Sequence, residues 1–229
     1  MKRFYKQVTI EAVESGFEIA LDGRILKTPM KTTLILPTQA LAKAVAAEWD
    51  AQEGDIKPET MPLTKLSNTA IDRVHARRAE VVEEVSGFGG SDLICYRAEN
   101  PDTLVDLQEK TWGPYVKWVK DTYGVELIVT AGIIHVKQND HVLAALTRAV
   151  ESHGSFHLNG LHALTTGLGS LVLGLAYSSG HATFDNIWAA SQLDELYQEG
   201  EWGTDAEAVA MREVLRDDME MACRYIEML

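Results

Sequence analysis

Cysteine is almost missing from this chain of 229 residues: Cys95 and Cys223 lie far apart, with no C-x-x-C motif and no histidine at ligand spacing. That excludes a disulfide scaffold and a zinc knuckle, and it suits a reducing compartment. Positive charge is also short. Against 34 Asp and Glu stand 21 Lys and Arg, a formal charge of −13 that repels a phosphate backbone. The one close basic cluster, Arg73, Arg77 and Arg78, is followed by Glu80, Glu83 and Glu84, so a nucleic-acid partner is not expected. No uninterrupted hydrophobic run is long enough to span a bilayer. The stretch from Ser152 to Phe184 carries no Asp, Glu, Lys or Arg, but His153, His157, Asn159, His162, Thr165 and Thr166 shorten its apolar part well below the roughly twenty residues a crossing needs. It reads as helix buried in protein. After Met1-Lys2-Arg3-Phe4-Tyr5-Lys6 the chain alternates apolar and polar residues where an export signal would be continuously apolar, so no such signal is expected.

The motifs of phosphate chemistry are missing too. The cluster Gly167-Leu168-Gly169-Ser170-Leu171-Val172-Leu173-Gly174 has Val172 where a dinucleotide fingerprint needs glycine, and Leu175 where a P-loop needs lysine. Close helix packing explains these glycines instead. His153 and His157 stand one helical turn apart, but Gly154 and Gly160 weaken that helix and no carboxylate lies between Glu151 and Asp185, so neither a metal nor a cofactor is expected. There is no G-x-S-x-G elbow.

What is present patterns as an α+β protein. Val8 and Ile10 alternate with Thr9 and Glu11, and Phe17, Ile19 and Leu21 lead into Asp22-Gly23, a strong hairpin signal. With Thr33 to Leu36 these runs predict a small antiparallel sheet. Thr38 then caps a helix carrying Leu41, Val45 and Trp49 at i, i+4, i+8 and reaching about Gln52. Ile56 to Leu63, with Pro58 and Pro62, reads as extended; a second helix follows from Leu66 to Gly87, and Ser91 caps a short one. Beyond Arg97 the pattern is mainly helical: Asp102 to Tyr123 with a kink or split at Pro114, Asn139 to Ser152, Phe156 to Tyr177, Asp185 to Glu199, and a last helix opened by Thr204 with Glu207 as a capping box. Leu127 to Val136 is β-branched enough for one or two strands. The expected domains are a β-rich 1–90 and a helical 91–229, with the boundary near residues 87–97.

The most suggestive polar stretch runs from Leu193 to Gly203 and holds Asp194, Glu195, Gln198 and Trp202. Adjacent carboxylates on a helix point about 100° apart, a poor grip on one substrate atom. A hydrolase built on Asp194 and Glu195 with a histidine is one reading; an exposed acidic helix that recognises a protein is the other.

Separated blocks carry a resemblance across nearly the whole chain: residues 2–6, Leu21-Asp22-Gly23-Arg24-Ile25-Leu26-Lys27-Thr28-Pro29, Glu48-Trp49-Asp50-Ala51-Gln52, Met61-Pro62-Leu63-Thr64 with Asn68-Thr69-Ala70-Ile71-Asp72, Asp92-Leu93-Ile94-Cys95-Tyr96-Arg97, and Leu193 to Gly203. In these the chain resembles the mitochondrial and α-proteobacterial ATP synthase assembly chaperones that bind the free α subunit of the catalytic head. The resemblance implies a monomer that is no enzyme, uses no nucleotide or cofactor, and holds α soluble until β replaces it, in a bacterial cytoplasm or a mitochondrial matrix. It places the family's important acid on Asp194, with Glu195, Gln198 and Trp202 as further partner contacts. Trp49 and Arg24 are either structural or partner-binding. Reversal of charge at Asp194 is expected to abolish binding and leave the fold intact.

With both phosphate motifs failing, calorimetric titration with Mg-ATP is expected to give no saturable heat, and a micromolar dissociation constant would refute the reading.

Overall fold

The computed structural model describes residues 1–229. It is an α+β molecule in which short antiparallel strands precede a mostly helical remainder. The chain divides into two compact units. The first gathers Met1–Arg78, Gly154–Gly160 and Arg224–Leu229; the second gathers Ala79–His153 and Leu161–Cys223.

In the first unit, β1 (Val8–Val13) and β2 (Gly16–Leu21) pair antiparallel in the register Val8 to Leu21, and β2 also pairs with β3 (Arg24–Ile25) and β4 (Ile35–Leu36). The β2–β3 turn is Asp22-Gly23, both at positive φ (49° and 77°), as a tight hairpin demands. The Asp22 carboxylate accepts from the backbone N–H of Lys6 and Gln7, which holds its pKa below the usual range. Helix α1 (Gln39–Asp50) starts at Thr38, whose hydroxyl accepts from Leu41 N, and buries Leu41, Ala42, Val45 and Ala46. Its far end holds the next segment in place. The Glu48 carboxylate accepts from Leu63 N (2.7 Å), Thr64 N (2.8 Å) and the Thr64 hydroxyl (2.7 Å), capping α2 (Pro62–Thr69). Gln52 accepts from Lys57 N and donates to Thr60 Oγ1. The segment read as extended is therefore one 3₁₀ turn, Pro58–Thr60, running into α2 with Pro62 at its first position, where the missing N–H costs nothing. The predicted second helix is three pieces: α2, a π-helical segment Ala70–His75, and α3 (Arg78–Gly87).

The second unit contains α4 (Asp102–Tyr123), which continues through Pro114 without splitting, α5 (Asp140–Glu151), α7 (Leu171–Ser178), α8 (Phe184–Ser191) and α9 (Leu193–Trp202), with most of α6 (Ser155–Leu168) and α10 (Ala206–Glu227). Of the strands expected between Leu127 and Val136, only β6 (Thr130–Ala131) forms, parallel to β5 (Tyr96–Arg97). The helix expected from Phe156 to Tyr177 breaks at Gly169 (φ 67°), and Ser170 caps α7. Gly167 and Gly174 do serve close packing: a Cβ would come within 2.2 Å of Met219 Sδ at the first and 3.0 Å of Leu161 Cδ1 at the second. The last two capping assignments each move by one residue. Asp92, not Ser91, caps the 3₁₀ turn Leu93–Cys95, and Asp205, not Thr204, accepts from Glu207 N. No helix is long and apolar enough to cross a membrane.

The core of this unit closes over a carboxylate. Asp92 is fully buried and accepts from the Ser170 hydroxyl (2.6 Å), Val172 N (3.0 Å) and Ile94 N (3.3 Å). Ser170 Oγ in turn accepts from Leu173 N, so one side chain and its neighbour satisfy the start of α7. In the same unit Trp112, Leu146, Leu161, Leu164 and Leu171 are wholly inaccessible, each side chain worth about 1.5 to 3 kcal/mol of burial. Burial pushes the Asp92 pKa up to about 6 despite these hydrogen bonds.

A folded-state pKa above the unfolded one means that the protonated form is favoured in the fold. Its contribution is complete below pH 4 and is lost as pH rises through about 6. Urea unfolding of wild type and Asp92→Asn at pH 4 and pH 7.5 is expected to show the wild-type advantage shrinking by on the order of 3 kcal/mol between the two. A pH-independent difference would show that Asp92 is ionised throughout.

Candidate functional site

Helix α9 forms because Leu193 anchors one side of it in the core while Glu195, Leu196 and Gln198 stay exposed. Gln192 separates it from α8, so the single helix expected over Asp185–Glu199 is two, and Asp194 and Glu195 stand in a first helical turn. A carboxylate there is favoured by the unpaired N–H groups. The two acids diverge. Asp194 is half-buried, and its Oδ1 accepts from Gln108 Nε2 on α4 at 2.8 Å; Gln108 is itself buried and accepts from Ala98 N at 2.7 Å. Glu195 stands in solvent. Asp194 was expected to be a free surface acid, and its position is more constrained than that: its charge also acts on Arg97, which burial makes a weaker base and Glu109 a stronger one. Arg97 is buried over the Trp112 ring, 5.0 Å from its centroid, with Nε and Nη1 lacking hydrogen-bond partners. Lysine at 194 would remove the acceptor for Gln108 and set a second cation near Arg97.

The rest of α9 is tied to neighbouring helices. Tyr197 hydroxyl pairs with Thr103 Oγ1 at 2.6 Å, and Glu199 takes two hydrogen bonds from Arg212 on α10, at 2.6 and 2.9 Å. Between these ties the helices present apolar side chains to water: Trp202 is 81% exposed, and Leu196, Met211 and Val214 are also exposed. Gln198 lies among them on α9, exposed.

Three of the histidines are engaged with other partners. His135 Nδ1 lies 3.1 Å from Tyr96 hydroxyl, His162 Nε2 lies 3.1 Å from Glu84, and His181 stacks on Trp118 at 5.1 Å. No group of three or more His, Cys, Asp or Glu is gathered to hold a metal. Neither Asp194 nor Glu195 lines the clefts of about 800, 420 and 320 Å³.

The 800 Å³ cleft belongs entirely to the first unit, and its lining includes Lys27, Thr28, Trp49, Thr64, Asn68 and Asp72. These come from three of the sequence blocks that carry the resemblance, a convergence that block spacing does not reveal. Trp49 is half-buried, its ring 5.9 Å from that of Tyr5, whose hydroxyl donates to Trp49 O at 2.6 Å. Arg24 is exposed in β3, opposite Leu21, and does not line the cleft. Asp72 fixes the facing loop by accepting from Thr28 Oγ1 (2.7 Å) and Met30 N (3.1 Å). Lys65 and Asn68, one turn apart with Asp72 beyond them, mark a polar face of α2 that periodicity alone contains and that the sequence reading did not single out.

Known proteins share this architecture. A family model described as ATP12 chaperone protein matches residues 2–120, just over half of the chain. The mitochondrial protein atp12 of Schizosaccharomyces pombe is 25% identical over 215 residues, 89% of this chain and 74% of that protein. Among solved structures, Atp12 from Paracoccus denitrificans gives a TM-score of 0.95 at 39% identity, covering 99% of this chain and 97% of that one. An aspartate-to-lysine mutant of Atp12p from the same organism gives 0.96 at 38% identity with the same coverage. A match of the model over the sheet, α1, α2 and most of α4, together with agreement in fold from end to end, places the chain in the ATP12 chaperone family.

Proposed function

We propose that this chain is an ATP synthase assembly chaperone that holds the unassembled α subunit of the catalytic head and performs no bond chemistry. The observation that carries the reading is the α9 surface: Asp194 held in place by Gln108, Glu195 beside it in water, and exposed Leu196 and Trp202 on the same helix. An unassembled subunit exposes apolar surface that its assembled form buries, and masking it needs apolar contacts with a polar rim that can be released. Exposed tryptophan is the side chain most enriched among strong interface contacts. Asp194, Glu195, Gln198 and Trp202 form the contact in this reading, and Trp49 belongs to the first unit's cleft. The protein works as a monomer in a bacterial cytoplasm or a mitochondrial matrix, with no nucleotide.

The test is light scattering of α diluted from denaturant, with melting curves of each chaperone variant. Glu195→Lys changes an exposed charge, and Asp194→Asn keeps the acceptor for Gln108 while removing the charge, so both are expected to fold and to melt within a few degrees of wild type. Both are expected to need roughly tenfold more protein to suppress aggregation, a loss of about 1.4 kcal/mol of binding. If both variants protect α as wild type does, α9 is not the contact; if wild type leaves α unprotected, the client is wrong.

A further inference from the structure

We propose that the 800 Å³ cleft of the first unit binds an extended, carboxylate-bearing segment of the client polypeptide, a contact separate from the α9 surface. The proposal rests on the chaperone reading for the source of the segment, and on the cleft itself for its chemistry.

The cleft follows one face of a helix. Met61, Lys65, Asn68 and Asp72 recur at spacings of three and four along α2 and into the π-helical segment, a run that continues to Arg73. Twelve residues at 1.5 Å each give a floor of about 18 Å, room for roughly five residues of extended chain. Pro29, Ile56 and Pro58 add apolar surface to the rest of the lining. The lining is held before anything binds: Glu48 and Gln52 fix the start of α2 and the loop ahead of it, and Asp72 fixes Thr28 and Met30. A preformed groove orders little of itself when it is filled, which favours a flexible occupant. The π-helical segment is a second sign, since such irregularities collect at functional sites.

Two polar atoms in the lining residues point to peptide as the occupant. Trp49 Nε1 and Asn68 Oδ1 are both shielded from water and have no hydrogen-bond partner. One is a donor and the other an acceptor. A backbone carbonyl and a backbone N–H are the complement of that pair, and entry of an extended chain, with the side-chain rotation it requires, supplies both. Charge sets the sign of the occupant. Lys27 and Lys65 are exposed on the lining, and the single acid there, Asp72, has both oxygens engaged within the fold. A chain with a net charge of −13 thus keeps a basic groove, which selects a carboxylate.

The experiment uses fluorescein-labelled 12-residue peptides tiled across the α and β subunits, with anisotropy titration of wild type, Lys27→Glu/Lys65→Glu, Trp49→Phe and Glu195→Lys, and melting curves for each. Peptides combining apolar residues with Asp or Glu are expected to bind wild type, to bind roughly tenfold more weakly to the double lysine variant, and to bind Glu195→Lys unchanged. Trp49→Phe keeps an aromatic ring and removes the donor; it is expected to weaken binding about three- to tenfold with a fall in melting temperature of only a few degrees. If no peptide depends on Lys27 and Lys65, or if Trp49→Phe loses stability and keeps affinity, the proposal fails. Cleft-dependent peptide binding without protection of whole α would remove the client assignment and leave the groove standing. Protection of α that the lysine variant matches, with no peptide bound, would do the reverse.

Discussion

The three hydrogen bonds that the Glu48 carboxylate accepts at the start of α2 tie that helix to the end of α1. Burial pushes the pKa of this group up, and the N–H groups and hydroxyl of residues 63 and 64 oppose that shift, as does the charge of Arg224. The exchange is favourable because those N–H groups have no partner within their own helix. Since Glu48 lies near the end of α1, the contact sets the position of α2 relative to α1, and with it the floor of the cleft. Gln52, one turn later, does the same for the loop that leads into α2.

The acidity of the chain therefore divides into two kinds of carboxylate. Asp22, Glu48, Asp72 and Asp92 are spent inside the fold, each accepting from backbone N–H groups of a turn, a loop or a helix start. Glu195 and Glu201 on α9 are left in water. Asp194 belongs to both kinds, since Gln108 holds it and solvent still reaches it. A charge held in one place loses less conformational entropy on binding than one on a free side chain. A surface meant to bind and later release gains specificity from such a group without needing many apolar contacts.

Elements whose determinants lie within a few residues were legible in the sequence. The Asp22-Gly23 turn acts through its own backbone conformation and the Thr38 cap through a bond three residues on, and the structure has the hairpin and the cap where the sequence puts them. The capping residues of the 3₁₀ turn and of α10 came out one position early because Ser91-Asp92 and Thr204-Asp205 each pair two competent acceptors, and only packing chooses between them. The break at Gly169 was hidden by an apolar run that continues on both sides of it. β-Branched content at 127–136 signals extended chain but not a partner, and only two residues found one. The acidic character of α9 was readable; the bond from Gln108, 86 positions away, was not. The cleft was illegible for the same reason at larger scale, since it is assembled from three separated stretches whose spacing carries no trace of their meeting.

The first unit is discontinuous in sequence. Thr38, the cap of α1, donates its hydroxyl hydrogen to Met228 O; Asn159 donates to Leu66 O at 2.9 Å; and Gly160 lets Ile226 approach where a Cβ would meet it at 2.6 Å. A ribosome delivers a chain from its N-terminus, and continuous domains close as they emerge. Here the sheet, α1 and α2 are synthesised well before residues 224–229, which complete their contacts. The first unit therefore stays open until residues 224–229 have been made, so a member of a chaperone family passes through a dependent stage of its own during synthesis.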